Sequence, residues 1–337
     1  MKSKLFNLAV ILVAVASSLL IDVQAQTRNR NSAAPASPLM SSLPQSDAVV
    51  HVKVKQLLNE ATPRILANNP TKLSEVNATI DRFKDRTGLD PRMFDEIAVG
   101  VKFTFPSDGV TKAQAVALAN GSFSSAAMMA AGRVASNGKY REEKYRDKTI
   151  YVFTLDENIR LLGFFDIKIG ELAAAPLNAN TLALGEPAAV KAAIDVSGKR
   201  KNGNTELIAL ASRDPNAIIG FGSNMSEQLV SNLDIGNAPI AADLKTLRQV
   251  YGSVSTTATD LQLFLGARAV NATAAKTLGD TLEGLKQFGA LLVGRLSGAR
   301  GVLAKSALGN MSIVTDANEL QIRTTVAQAE VGPLLGR

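Results

Sequence analysis

The chain has 337 residues, 46% of them hydrophobic, with no cysteine, no tryptophan and a formal net charge of +7 from 37 Lys and Arg against 30 Asp and Glu. The lack of cysteine excludes thiol nucleophiles, thiolate metal sites and a disulfide scaffold, and the single histidine, His51, excludes the usual zinc sites, which need several His or Cys ligands. An aromatic content of 5% leaves few stacking platforms for sugars or bases, and no nucleic-acid motif accompanies the modest basic excess.

Residues 1–25 have the three-part layout of a secretory signal. Lys2 and Lys4 begin it, an apolar run from Leu8 to Leu20 follows, and Val23-Gln24-Ala25 supplies the small-residue cleavage site. Cleavage predicts a periplasmic or secreted protein. The alternative is an uncleaved anchor, since Leu5 to Ile21 reaches the short end of the roughly 17–25 residues a spanning helix needs. No later stretch approaches that length, so no membrane span is expected after cleavage. Residues 26–43, rich in Ser, Ala, Asn, Pro and Arg without periodicity, read as a disordered leader.

From residue 44 onward the chain alternates strand and helix signals. Ala48 to Val54 has the residues of a strand, and Ala61 to Asn69 and Thr71 to Arg86 have helical spacing, the second stopped by Gly88. Asp90-Pro91 predicts a capped turn. Ile97 to Phe105 and Ala115 to Ala119 form a predicted hairpin. Ser124 caps a predicted small-residue helix carrying Met128, Met129 and Val134. Strands are predicted at Thr149 to Leu155, Leu161 to Ile167 and Thr181 to Leu184, then helices around Val190 and Ile194 and from Asn204 to Leu210.

The second half begins with a predicted strand at Ala217 to Phe221 and helices at Ser226 to Leu233 and Ile240 to Val250. Tyr251 to Thr257 and Leu261 to Ala269 predict a hairpin, Ala274 to Val293 a long helix, and Met311 to Thr315 with Glu319 to Val326 a last hairpin. In the long helix, Leu278, Leu282, Leu285 and Leu292 form an apolar stripe that reads as core, with Lys276, Asp280, Glu283 and Gln287 on the wet face.

Ala48-Val49-Val50 resembles Ala217-Ile218-Ile219, and Ala115 to Val134 resembles Leu261 to Leu282, which suggests an internal repeat. The expected fold is α+β: mostly antiparallel sheet with helices packed on one face, as two related halves at 44–213 and 214–335.

Chemistry is sparsely supplied. Any Ser-His-Asp arrangement must run through His51, which sits inside a predicted strand. Gly220-Phe221-Gly222 lacks the third glycine of a dinucleotide fingerprint, with Met225 in its place, and reads as a turn. Asp95-Glu96 and Glu142-Glu143 are adjacent, so in extended chain their side chains point to opposite faces. We therefore assign no catalytic, cofactor-binding or metal-binding residues and expect no enzyme. Lys199-Arg200-Lys201 and the group Arg295, Arg300, Lys305 are the less balanced basic spots. They read as a solvated turn and a solvated helix face, or else as attraction to an anionic surface.

The blocks LPQSDAVVHVKVKQLL, TGLDPRMFDEIAVGVKF, GSFSSAAMMAA and LALGEPAAVKAAID, in this order from Leu43, resemble uncharacterised exported proteins of acidobacterium-like bacteria. That resemblance implies export and brings no activity or functional residue with it.

The functional expectation is a non-catalytic envelope or secreted protein acting by binding, its partner another envelope protein, an anionic surface or an apolar ligand. The runner-up is a periplasmic carrier of an apolar or lipid-like ligand, and the third a hydrolase without a recognisable motif. Cleavage between Ala25 and Gln26 is expected to give an exported form whose intact mass starts at Gln26. An exported form still carrying Lys2 would overturn this.

Overall fold

The computed structural model describes residues 37–161, 165–197, 203–232 and 238–333. The signal at 1–25, the leader up to residue 36 and the Lys199-Arg200-Lys201 turn lie outside the described residues. The end of the predicted leader does not: Leu39, Met40 and Leu43 are buried around a 3-10 turn at Met40–Ser42, so folded chain begins before residue 43.

The fold is α+β with a mostly antiparallel sheet. Among the described residues the strands are β1 (Ala48–Val52), β2 (Phe94–Ser107), β3 (Val110–Gly121), β4 (Tyr140–Tyr145), β5 (Lys148–Leu161), β6 (Phe165–Asn178), β7 (Thr181–Gly185), β8 (Ala217–Asn224), β9 (Leu247–Thr256), β10 (Asp260–Ala269), β11 (Ser312–Asp316) and β12 (Glu319–Ala327). The helices, apart from short turns, are α1 (Pro70–Thr87), α2 (Ser125–Ala135), α3 (Pro187–Val196), α4 (Thr205–Ala211), α5 (Glu227–Ser231), α6 (Ala238–Leu244), α7 (Ala272–Val293), α8 (Gly298–Gly309) and α9 (Gln328–Val331).

Local chemistry sets many of these boundaries. Asn69, Ser124, Ser226 and Asn271 each accept a backbone N–H from the first turn of α1, α2, α5 and α7, satisfying donors that have no intrahelical partner. Gly88 ends α1 at φ 68°, a left-handed conformation that glycine adopts without steric cost.

The chain divides into two compact units, one of residues 35–102 and 114–208 and the other of 103–113 and 209–334. The strand order in the first is β1-β2-β3-β7-β6-β5-β4 and in the second β8-β9-β10-β12-β11. The connectivity is the same. A strand leads through helices to a hairpin (β2–β3; β9–β10). A helix follows (α2; α7), and then a hairpin whose second strand lies beside the first hairpin (β6–β7; β11–β12). The β4–β5 pair is an addition at the edge of the first unit. The repeat read from the sequence falls on equivalent elements: β1 with β8, and β3–α2 with β10–α7.

In the first unit, Met128 and Met129 of α2 pack with Phe94, Ala119, Phe153, Ala174 and Leu182. Helix α3 lies on the opposite face. Its Asp195 accepts the Tyr145 hydroxyl at 3.0 Å and its Lys191 pairs with Glu143, while Arg133 of α2 reaches Glu142 at 3.4 Å. The neighbours Glu142 and Glu143 therefore do face opposite ways on β4. In the second unit, Ala275 and Leu278 of α7 pack with Leu247, Val250, Ala267, Ala269 and Leu320. Leu303, Ala307 and Met311 are buried as α8 returns toward β12.

Three expectations change. Residues 247–250 are strand, not helix. Leu244, Leu247 and Val250 are three apart and imitate a helical stripe, but Val250 pairs with Ala267 in the β9–β10 ladder. Gly220-Phe221-Gly222 lies within β8, not in a turn. Strand β4 was not among the expected elements, and α8 was anticipated only as the solvated helix face of Arg295, Arg300 and Lys305, without bounds.

Leu278→Ala removes a side chain 4% exposed in the α7 core and is expected to cost about 2–5 kcal/mol of stability. Leu291→Ala, at a side chain 75% exposed on the same helix, should stay within about 0.5 kcal/mol. Chemical denaturation of the two variants checks both.

Candidate functional site

His51 is on β1 opposite Ala98, and its Nε2 lies 2.7 Å from Glu96 Oε2. Glu96 also receives the Ser37 hydroxyl. The His51 hydrogen bond is the main reason its carboxyl sits below the usual range, against the opposing effect of burial. The order is Ser37, Glu96, His51: the carboxylate is in the middle, whereas a nucleophilic triad needs the imidazole there. This is a pairing arrangement between half-buried groups. Asp95, pointing the other way, pairs with Lys55 at 3.5 Å.

A second polar cluster lies in the unit of residues 209–334, on the sheet face opposite α7. Tyr251 is fully buried, with its ring over Gly266, where a Cβ would collide with the ring. Phe264 meets Tyr251 edge-on at 5.7 Å between centroids. Three guanidiniums gather over the pair: Arg213 at 5.1 Å and Arg268 at 5.8 Å from the Tyr251 ring, and Arg323 at 4.4 Å from Phe264.

Glu319 neutralises two of them, at 2.7 Å from Arg213 and 3.3 Å from Arg268. Burial raises the Glu319 carboxyl, but hydrogen bonds from Tyr251 and Arg213 outweigh it and leave the group below its ordinary value. Burial, then the bond to Glu319, push the Tyr251 phenol up. Arg213 also bonds the Tyr251 hydroxyl. The carboxylate and its partners satisfy one another, which gives the cluster a structural role. Among the described residues no group of three His, Cys, Asp or Glu is placed to hold a metal ion.

The third feature is apolar. Helix α7 has 22 residues, whereas its counterpart α2 has 11. The first half of α7 covers the sheet through Ala275 and Leu278, with Leu282 half-buried. Beyond it the expected core stripe comes out of the core: Leu285 and Leu292 are exposed, contrary to the expectation from their spacing. Phe288 joins them at helical spacing on the same side. The exposure continues through Leu291, 75% exposed, to Leu296 between the helices and Val302 on α8.

Helix α8 is held close. Gly289 leaves room for Leu308, whose methyl carbons would lie 3.4 Å from a Cβ there. Lys286 turns inward, its Nζ donating to the Met311 carbonyl at 3.1 Å and pairing with Glu283 at 3.4 Å. From Gly284 to Thr315 the sequence has no Asp or Glu, while Arg295, Arg300 and Lys305 are exposed. None of these three forms an ion pair among the described residues. No described helix is long and apolar enough to cross a membrane.

The sequence already marked Arg295, Arg300 and Lys305 as an unbalanced group, but it did not connect them with the leucines. Phe288 and Leu291 were missed. The available signal was the loss of acidic residues halfway along the long helix.

Among solved structures, the chain is similar to TP0453, a Treponema protein, in its crystal form III, with a TM-score of 0.45 and 11% identity over 89% of this chain and 98% of that one. Crystal form I gives a TM-score of 0.43 and 9% identity over 90% and 98% of the two chains. No protein family and no curated protein matches the chain.

The Glu319 cluster has a defined pH signature. A carboxyl lowered in the folded state contributes stability that is present above its unfolded value near 4.3 and is lost as pH falls through the folded value. Glu319→Gln is expected to cost about 1–3 kcal/mol at neutral pH, because it leaves Arg213 and Arg268 without their anion. It should also flatten the fall in stability below about pH 4.5. Urea denaturation from pH 3 to 7 measures both effects, and an acid limb unchanged from wild type would contradict this assignment.

Proposed function

We propose that this is an exported, non-catalytic protein of the envelope or extracellular space that acts by binding, and that its binding face is the apolar edge of α7 and α8. One observation carries this reading. Leu285, Phe288, Leu291, Leu292, Leu296 and Val302 are all exposed within eighteen residues. The other exposed large apolar residues, Met93, Val110, Val134, Val270 and Val314, are spread over the chain. Scattered apolar residues on a surface need no explanation, but a contiguous set of this kind marks an interaction site. Transferring each such side chain from water to an apolar partner is worth about 1.5–3 kcal/mol, enough for several together to drive association.

The face is directed outward, which supports docking on a surface more than enclosure of a small ligand. The paired, structural character of the His51–Glu96 and Glu319 sites also supports a non-catalytic reading.

Phe288→Ser combined with Leu291→Ser tests this in the secreted form. The double variant is expected to keep the wild-type melting temperature within a few degrees and to lose most of the wild-type enhancement of an apolar fluorescent dye. If the pair instead melts far below wild type, these residues are core and the reading fails.

A further inference from the structure

We infer that the occupant of the α7–α8 face is an anionic phospholipid bilayer, on which this helical pair lies at the interface without crossing it. The inference rests on the binding reading above and adds the identity of the partner.

Charge is the first argument. The α7–α8 segment between Glu283 and Asp316 has no acidic residue, a property it shares with the stretch between Asp108 and Glu142, but only here do exposed large apolar residues gather beside the cations. The exposed cations Arg295 and Arg300 bracket Leu296 at the turn between the helices, and Lys305 is one helical turn from Val302 on the outer side of α8. An apolar strip bordered by basic residues and stripped of acids is the arrangement that an interfacial helix presents to anionic headgroups. The mixed-sign face that argues against membrane contact, Lys276 with Asp280 at 2.8 Å, is confined to the half of α7 that covers the sheet.

The alternatives fit less well. In a two-fold dimer the same patch meets itself, so the acid-free basic edge with Arg295, Arg300 and Lys305 would be brought against an equally basic edge, and like charges brought together cost affinity. A protein groove selects one stripe of a single helix. Here the apolar residues run from the end of α7 through the turn at Leu296 and onto α8. That is a broad edge, suited to a plane. At 22 residues α7 is long enough to span, but it is not apolar enough to cross a membrane.

Co-sedimentation of the full secreted chain with vesicles tests the inference. The vesicles are 30% phosphatidylglycerol in phosphatidylcholine, with pure phosphatidylcholine as control. Wild type is expected to bind the anionic vesicles, at least tenfold more weakly to the neutral ones, and progressively less as salt rises. Replacing Arg295, Arg300 and Lys305 by Gln should weaken binding by roughly fivefold per charge, or about a hundredfold together. Phe288→Ser with Leu291→Ser should abolish it while melting stays at the wild-type value.

Equal binding to both vesicle types, or none to the anionic ones, overturns the lipid assignment. Sedimentation velocity and dye binding then separate the two levels. If wild type self-associates or binds dye and the double Ser variant does not, the face is a binding face with another occupant. If the variant matches wild type in all three measurements, the binding reading falls as well.

Discussion

Each half of this fold depends on covering one face of an antiparallel sheet with the helix that follows the first hairpin. Met128 and Met129 of α2 do this over β2, β3, β6 and β7, and Ala275 and Leu278 of α7 do it over β9, β10 and β12. Small residues at the contact, Ala119 and Ala174 in one half and Ala267 and Ala269 in the other, let helix and sheet approach closely. With no disulfide available, this packing and its counterpart on the other sheet face must hold the protein together. The exposed apolar edge of α7 follows from the same constraint, since the residues that the sheet has no room to cover are the ones that stay exposed.

The polar clusters fit this scheme. The sheet face opposite α7 meets the end of α4 at Gly220, where a Cβ would collide with the Ala211 carbonyl, and away from that contact it still has to accommodate its large side chains. In the second unit it does so by laying Tyr251 over Gly266 and roofing it with Arg213 and Arg268, whose charge Glu319 balances. Guanidinium planes stack on aromatic rings while keeping contact with water, so they cover a ring without requiring a further apolar layer. His51 and Glu96 meet a smaller version of the same need between β1 and β2.

The sequence disclosed those parts of the fold whose causes are local. The cap at Ser124 and the stop at Gly88 need only neighbouring residues, and they were legible. Strand β4 was not, because YREEKY has no apolar alternation: as the terminal strand of its sheet it carries charges on both sides, Glu142 toward Arg133 and Glu143 toward Lys191. Helix α8 was hidden by Gly298, Gly301 and Gly309, which depress helix propensity, although the contacts of Leu303 and Ala307 override it. Arg213 and Glu319 are too far apart in the chain for any spacing rule to join them. The hardest feature was the exposure of Leu285 and Leu292. Helical periodicity reports that leucines share a side, and only the extent of the sheet decides whether that side is covered.

The difference in length between α2 and α7 separates two kinds of sequence constraint. Eleven residues are what one half of this architecture consumes in closing its sheet, as α2 shows. Beyond that allotment, Lys286 and Gly289 still face α8, but the exposed apolar side chains from Leu285 to Leu296 and Val302 on the outer side of α8 are not called on to close the sheet. Their composition is free to drift toward whatever they meet, while the sheet beneath stays fixed. Related chains should therefore vary in this appendage first: lengthened, shortened or recharged as the encountered surface changes, with the paired strands and the first turns of the helix left as they are.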